Sequence, residues 1–304
     1  MGRKGKHMVM TLAGLALLAV AIGFWTGWSL LGVLNRLDSV LTRGDMRLVV
    51  RAEPFGGGSR QKLNIWSPET PGPGEGRDVI VFFYGGSWKS GERDFYDFAG
   101  RAFAEKGYVV VIPDYRLVPE VRFPAFVDDG ATAIAWTHTN VRRFGGNPDR
   151  IFVSGHSAGA HIGAMLTLDR QWLAKAGAPA DSIKGFAGLA GPYDFFPFTS
   201  DSARNAFGHL DDPKISQPIQ FVRGDAPPVM LMTGNGDTTV KPRNSIALAT
   251  AIGKLGGKAE LRTYPGVDHN GIIMALANPF RSRAPVIVHT DLFIRSVPVE
   301  KPTR

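Results

Sequence analysis

Gly155-His156-Ser157-Ala158-Gly159 has the form G-x-S-x-G. It follows the apolar residues 151–153 and opens the helical stretch 158–168, the strand–turn–helix setting that a nucleophilic serine needs. Small residues at 155 and 159 let such a turn bend sharply and leave the serine hydroxyl exposed. A hydroxyl is a weak nucleophile until a base takes its proton, so Ser157 requires a partner elsewhere in the chain.

Seven histidines are available. His7 precedes an apolar segment, His138 and His289 lie in helical stretches, and His156 and His161 flank the serine, where packing beside the turn is their expected role. His269 follows the last predicted strand, in Tyr264-Pro265-Gly266-Val267-Asp268-His269-Asn270-Gly271. A loop at a strand's C-terminal end can reach the edge from which Ser157 projects. His269 is therefore the expected base, with His209, in a polar loop, as the alternative. Its imidazole needs a carboxylate to orient it and to stabilise its cation. Asp237, in Thr233-Gly234-Asn235-Gly236-Asp237 after the strand at 229–232, is the first choice. Asp268 and Asp194 compete, although Asp268 is the immediate neighbour of the ring it would have to reach.

Acyl transfer also needs backbone donors aimed at an oxyanion. Tyr84-Gly85-Gly86-Ser87-Trp88 follows the apolar run 79–83, and glycines there keep side chains away from the amides. The expected donors are the N–H groups of Gly86, Ser87 and Ala158. Tyr84, Trp88, Tyr193 and Phe195 are the candidates for contact with substrate. Tyr193 and Phe195 sit in 192–227, the only long segment between strands, whose aromatics either cover the site or fill the core. The chemistry calls for no cofactor and no metal.

These residues must be held by a regular frame. Residues 47–53 and 62–66 alternate in polarity around Gly56-Gly57-Gly58 and predict a β-hairpin. Continuous apolar runs at 79–83, 108–113, 150–154, 183–189 and 228–233 predict strands covered on both faces, followed by 259–264. Helical spacing at 95–106, 125–144, 158–168, 244–255 and 286–294 alternates with them, closed at Gly107, Gly145-Gly146 and Gly256-Gly257. This alternation predicts a single α/β domain with a mostly parallel sheet, helices on both faces, an antiparallel N-terminal edge and no large cap domain.

The order Ser157, Asp237, His269 is that of the α/β-hydrolases. The chain resembles their esterase/lipase branch, the feruloyl-esterase-like, hormone-sensitive-lipase-like, kynurenine-formamidase-like and isoprenylcysteine-methylesterase-like enzymes. The likeness rests on residues 82–88, 113–117, 123–129, 145–151, 155–161 and the Asp237 and His269 loops. It implies a serine hydrolase acting on carboxylic esters through an acyl-enzyme, with an amide- or formamide-cleaving enzyme or a peptidase as the alternative. Tyr84 and Ser87 stand where the family's loop usually has histidine and a third glycine. Asp114 and Arg116 read as structural.

Composition narrows the field. Cysteine is absent, which excludes disulfides, zinc–thiolate sites and a cysteine nucleophile. The net charge of +8 comes from scattered residues with no nucleic-acid-binding motif, so a basic surface is expected rather than a nucleic-acid partner. Residues 8–34 carry no charge and follow Arg3, Lys4 and Lys6, the layout of a signal anchor or signal peptide. Ala19-Val20-Ala21 could be cleaved, but the apolar run continues past it, which favours an uncleaved anchor with the catalytic domain exported. A buried N-terminal helix is the remaining possibility. The expected organisation is a targeting segment at 1–37 and a catalytic domain at 38–304.

Overall fold

The computed structural model describes residues 30–298. Eight strands form one sheet: β1 (Met46–Pro54), β2 (Lys62–Pro68), β3 (Arg77–Phe83), β4 (Val109–Pro113), β5 (Gly146–His156), β6 (Ile183–Leu189), β7 (Val229–Gly234) and β8 (Ala259–Tyr264). Their order is β1-β2-β4-β3-β5-β6-β7-β8. β1 and β2 pair antiparallel, as do β2 and β4, and every other pair is parallel. This is the α/β-hydrolase arrangement, with the hairpin at one edge as its sequence predicts. Val79, Val81, Val111, Val153 and Phe186 are wholly buried, because helices cover both faces of the inner strands.

Strand register places the site. Phe83 at the end of β3 is level with Gly155 of β5, and His156 with Leu189 of β6. Leu189 is level with Met232 of β7, and Gly234 with Tyr264 of β8. Five strands thus finish along one edge, and the segments that follow them all emerge there. The 157, 237 and 269 positions, and the loop at 84–88, become neighbours for this reason.

Several elements differ from expectation. The predicted helix at 95–106 is a 3-10 turn, Arg93–Tyr96, followed by α2 (Asp97–Ala104). The predicted helix at 125–144 is α3 (Ala125–Asn140), tightened into a 3-10 turn over Val141–Phe144 and stopped by Gly145 at φ 81°. Helix α4 (Ala158–Leu168) has its predicted ends, and α7 (Arg243–Lys254) and α9 (Val286–Ser296) lie within two residues of theirs. Three short helices were not predicted: α5 (Gln171–Lys175), α6 (Asp201–Phe207) and α8 (His269–Met274). The 192–227 segment adds only α6 and two 3-10 turns, so among the described residues no large cap covers the sheet edge.

The N-terminal helix α1 (Leu30–Leu41) runs across the expected boundary at residue 37. Most of the expected membrane segment, residues 8–29, lies outside the described residues; its last five form the start of α1 and pack on the domain. Leu34 is buried there, and the Asn35 side chain donates to the Asp94 carbonyl (2.7 Å). Arg101 donates to Asp38 Oδ2 at 2.6 Å and to the Asn35 carbonyl at 2.9 Å, and Asp38 Oδ1 accepts the Asn278 amide at 2.7 Å. Asp38 and Arg101 are both buried, so each charge depends on the other. Among the described residues no helix is long and apolar enough to cross a membrane.

Candidate active site

Ser157 caps the junction of β5 and α4 with φ 54° and ψ −120°, a conformation costing on the order of 1–3 kcal/mol for a residue with a side chain. The surroundings enforce it. A Cβ on Gly155 would sit 2.7 Å from the Gly159 backbone, and one on Gly159 would sit 2.1 Å from the Phe83 carbonyl oxygen. Both positions must be glycine for the turn to close against the end of β3. The Ser157 amide is used up by the Leu189 carbonyl (2.9 Å), which fixes the residue to the neighbouring strand.

The hydroxyl of Ser157 lies 2.9 Å from His269 Nε2, and His269 Nδ1 lies 2.7 Å from Asp237 Oδ2. The structure thus joins all three first-choice residues in one hydrogen-bonded chain. Asp237 Oδ1 accepts the amides of Thr239 (2.9 Å) and Val240 (2.8 Å). With two amides on Oδ1, the other carboxyl oxygen is left to accept from Nδ1–H. That sets the imidazole tautomer: Nδ1 carries the proton and Nε2 offers a lone pair to the serine hydroxyl.

None of the alternatives takes part in this hydrogen-bonded chain. Asp268 is the N-cap of α8, its Oδ1 accepting the Gly271 amide at 2.6 Å. Asp194 follows Tyr193 on a turn whose two amides donate to Asn244 Oδ1. The ring of His209 is bonded to the Phe123 carbonyl (2.9 Å).

The 84–88 loop abuts the serine: a Cβ on Gly85 would lie 3.2 Å from Ser157 Cβ and 2.7 Å from His156 Nδ1. Gly86, Ser87 and Trp88 all have positive φ, at 141°, 54° and 58°. Gly86 turns its carbonyl to the Lys89 and Ser90 amides (3.1 and 3.0 Å). The amides of Gly86, Ser87 and Ala158 meet no acceptor among the described residues. Unused amides in a loop against the serine turn, and at Ala158 next to the serine, are of the kind that can receive a developing negative charge.

The expected substrate contacts divide. Tyr84 and Tyr193 are corrections: both are wholly buried and unavailable to a ligand. The Tyr84 hydroxyl donates to Asp114 Oδ1 (2.8 Å) and accepts from Arg60 (2.9 Å), while its ring stacks between Tyr96 and Tyr115. Asp114 also holds the Arg93 amide (2.7 Å) and guanidinium, and Arg116 is paired with buried Asp129, so both are structural. Tyr193 packs edge-on against Phe186. Trp88 and Phe195 do meet, rings 5.8 Å apart, in an aromatic wall completed by His161 and Phe207.

His156 and His161 are the site residues that sequence reasoning undervalued. Burial lowers the pKa of His156 to about 3 and that of His161 to about 4, so both are neutral near neutral pH. Because the unfolded chain would take up protons from its ordinary value of 6.5 downward, this burial costs the fold stability progressively as pH falls below 6.5. His161 bonds the Ser216 carbonyl (2.8 Å), tying the 192–227 segment to α4.

Comparison with known proteins agrees with this frame. The chain is 29% identical over 255 residues to isoprenylcysteine alpha-carbonyl methylesterase ICME of Arabidopsis thaliana, covering 77% of this chain and 58% of that protein. It is 31% identical over 249 residues to esterase LipQ of Mycobacterium tuberculosis, covering 76% and 58%. The chain thus spans somewhat over half the length of these relatives. Its fold matches that of Thermogutta terrifontis esterase 2 phosphonylated by sarin, with a TM-score of 0.69, 22% identity, and coverage of 83% of this chain and 97% of the other. The BD-FAE family matches residues 63–252, from β2 through the serine turn and the Asp237 loop into α7. That match takes in well over half of the chain, which therefore belongs to the BD-FAE family within the α/β-hydrolase fold.

Proposed function

We propose that this protein hydrolyses carboxylic esters through an acyl-enzyme on Ser157. The observation that carries the reading is the unbroken chain Ser157–His269–Asp237 at 2.9 and 2.7 Å. Ser157 Oγ attacks the ester carbonyl carbon as His269 Nε2 takes its proton. The amides of Gly86, Ser87 and Ala158 stabilise the resulting oxyanion. Collapse breaks the bond to the alcohol, which leaves with the proton from Nε2, and the acyl group stays on Oγ. Water then attacks the acyl-enzyme with His269 again as base, releasing the acid and restoring the serine. Asp237 keeps the ring in the competent tautomer and stabilises its cation throughout.

Phe195, half-buried and stacked on buried Trp88, suits contact with an apolar acyl or aryl group. Relatives named as esterases favour an ester over a formamide substrate. With 4-nitrophenyl acetate, 4-nitrophenyl decanoate and N-formylkynurenine assayed in parallel, kcat/KM should be highest for one of the two esters. A preference for N-formylkynurenine would replace the esterase reading with a formamidase one.

We further propose that the uncharged N-terminal residues attach the enzyme to a membrane, with the catalytic domain exported. Residues 8–29 remain long enough for the about 20 apolar residues that a span needs. Full-length protein should resist carbonate extraction, whereas a chain beginning at Leu30 should leave the membrane fully folded and active. A chain beginning at Ser39 lacks most of α1, so the Asp38–Arg101 ion pair, the Asn35 contacts and the burial of Leu34 are all lost. Its thermal midpoint should fall by roughly 10 °C relative to the Leu30 form. Equal midpoints would show that α1 contributes nothing to the fold, and carbonate release of the full chain would remove the anchor.

A further inference from the structure

We propose that His156, the residue before the nucleophile, is a positioning residue that holds the main chain of the base by donating Nε2–H to the carbonyl oxygen of His269. The ring nitrogen and that oxygen are 3.0 Å apart, and the two imidazoles lie with centroids 4.8 Å apart. The inference rests on the reading of His269 as the base. The contact joins residues that the chain separates by 113 positions.

His269 is otherwise secured through its ring, by Asp237 at Nδ1, and as the first residue of the six-residue helix α8. A ring held at one nitrogen can still swing if its peptide moves, because the Cα–Cβ direction sets where Nε2 lies. His156 adds an anchor from outside that short helix, on the carbonyl itself. Its other face is closed by the 84–88 loop, since a Cβ on Gly85 would come within 2.7 Å of His156 Nδ1. One imidazole is therefore wedged between the loop that presents the amides, the serine turn and the residue that carries the base.

The chemistry of that position suits a neutral histidine. Nε2 must donate to a carbonyl, so Nδ1 is the bare nitrogen, and it is buried with no partner among the described residues. A fold seldom leaves such an acceptor unsatisfied, and exceptions concentrate where function sets the residue. Neutrality also avoids a second cation beside His269, which must become an imidazolium in each half-reaction.

Three substitutions separate positioning from packing. His156→Phe keeps the ring and loses the donor. His156→Gln places an amide N–H near the position of Nε2, and His156→Asn places its amide near Nδ1 instead. With 4-nitrophenyl acetate, H156F and H156N should lose about 10- to 100-fold in kcat, as expected for a slightly misplaced base. Their KM should change by less than about twofold, and H156Q should recover most of the rate. Rates are expressed per organophosphonate-titrated site, so that misfolded protein is not counted. If H156F does not fold, H156Q against H156N still decides. Equal rates in H156Q and H156N, or an unchanged kcat in H156F, would overturn the proposal. Should Ser157→Ala still react with the organophosphonate, the triad reading itself would fail, whatever the His156 variants do.

Discussion

Ser157→Ala should lose about 10⁶-fold in kcat while remaining folded and able to bind ester, because no other group can form the acyl-enzyme. The fold should tolerate the change well. Ser157 already holds a positive φ with a Cβ in place, so alanine adds no new backbone strain. The turn is closed by Gly155 and Gly159 and by the Ser157 amide bond to Leu189, none of which involves the hydroxyl. Circular dichroism and the thermal midpoint should match the wild type. The residual rate should still exceed that in water, since the change leaves the proposed oxyanion donors, the amides of Gly86, Ser87 and Ala158, in place. A variant with more than a hundredth of the wild-type kcat would mean that another residue attacks the ester.

Asp237→Asn should cost about 10⁴-fold in kcat without unfolding the protein, and the reason lies in its hydrogen bonds. Oδ1 accepts two amides, from Thr239 and Val240. In the variant the amide oxygen must stay at that position, because an NH2 group there would face two donors. The NH2 then points at His269 Nδ1, forces Nδ1 to be the acceptor and moves the ring proton to Nε2. That proton faces the Ser157 hydroxyl, where a lone pair is needed. Turnover measured from pH 6 to 10 should stay depressed at the lower end of the range, where hydroxide cannot replace the base. Near-normal rates in D237N, with loss in Asp194→Asn or Asp268→Asn, would reassign the acid.

The serine turn was legible because its requirements are local: two glycines, a strand before and a helix after. The order of the three triad positions was legible because each follows a strand, and parallel strands of similar length end together. Tyr84 was misread for the opposite reason. Its partners Arg60 and Asp114 lie far along the chain, and only the sheet order, with β4 between β2 and β3, reveals that the side chain points into a polar core. Tyr193 sits next to a segment that does approach the site, yet its ring packs against Phe186 beneath it. Helices α6 and α8, at seven and six residues, are too short for apolar periodicity to show. The Asp268-His269-Asn270-Gly271 run did contain the signal for α8, an aspartate capping an amide three residues on. The bond from His156 to the carbonyl of His269 left no local trace at all. It exists only once β5 and the loop after β8 share an edge.

The acyl-enzyme is the central claim, and trapping it tests the claim directly. Protein mixed with a slowly hydrolysed 4-nitrophenyl ester, quenched in acid within the first turnover and digested, should carry one acyl mass on the peptide containing Gly155–Gly159. Fragmentation should place that mass on Ser157, with the first turnover releasing one nitrophenolate per active site in a burst. An acyl group on any other residue, or steady turnover with no burst and no covalent adduct under conditions where deacylation is slow, would contradict the account.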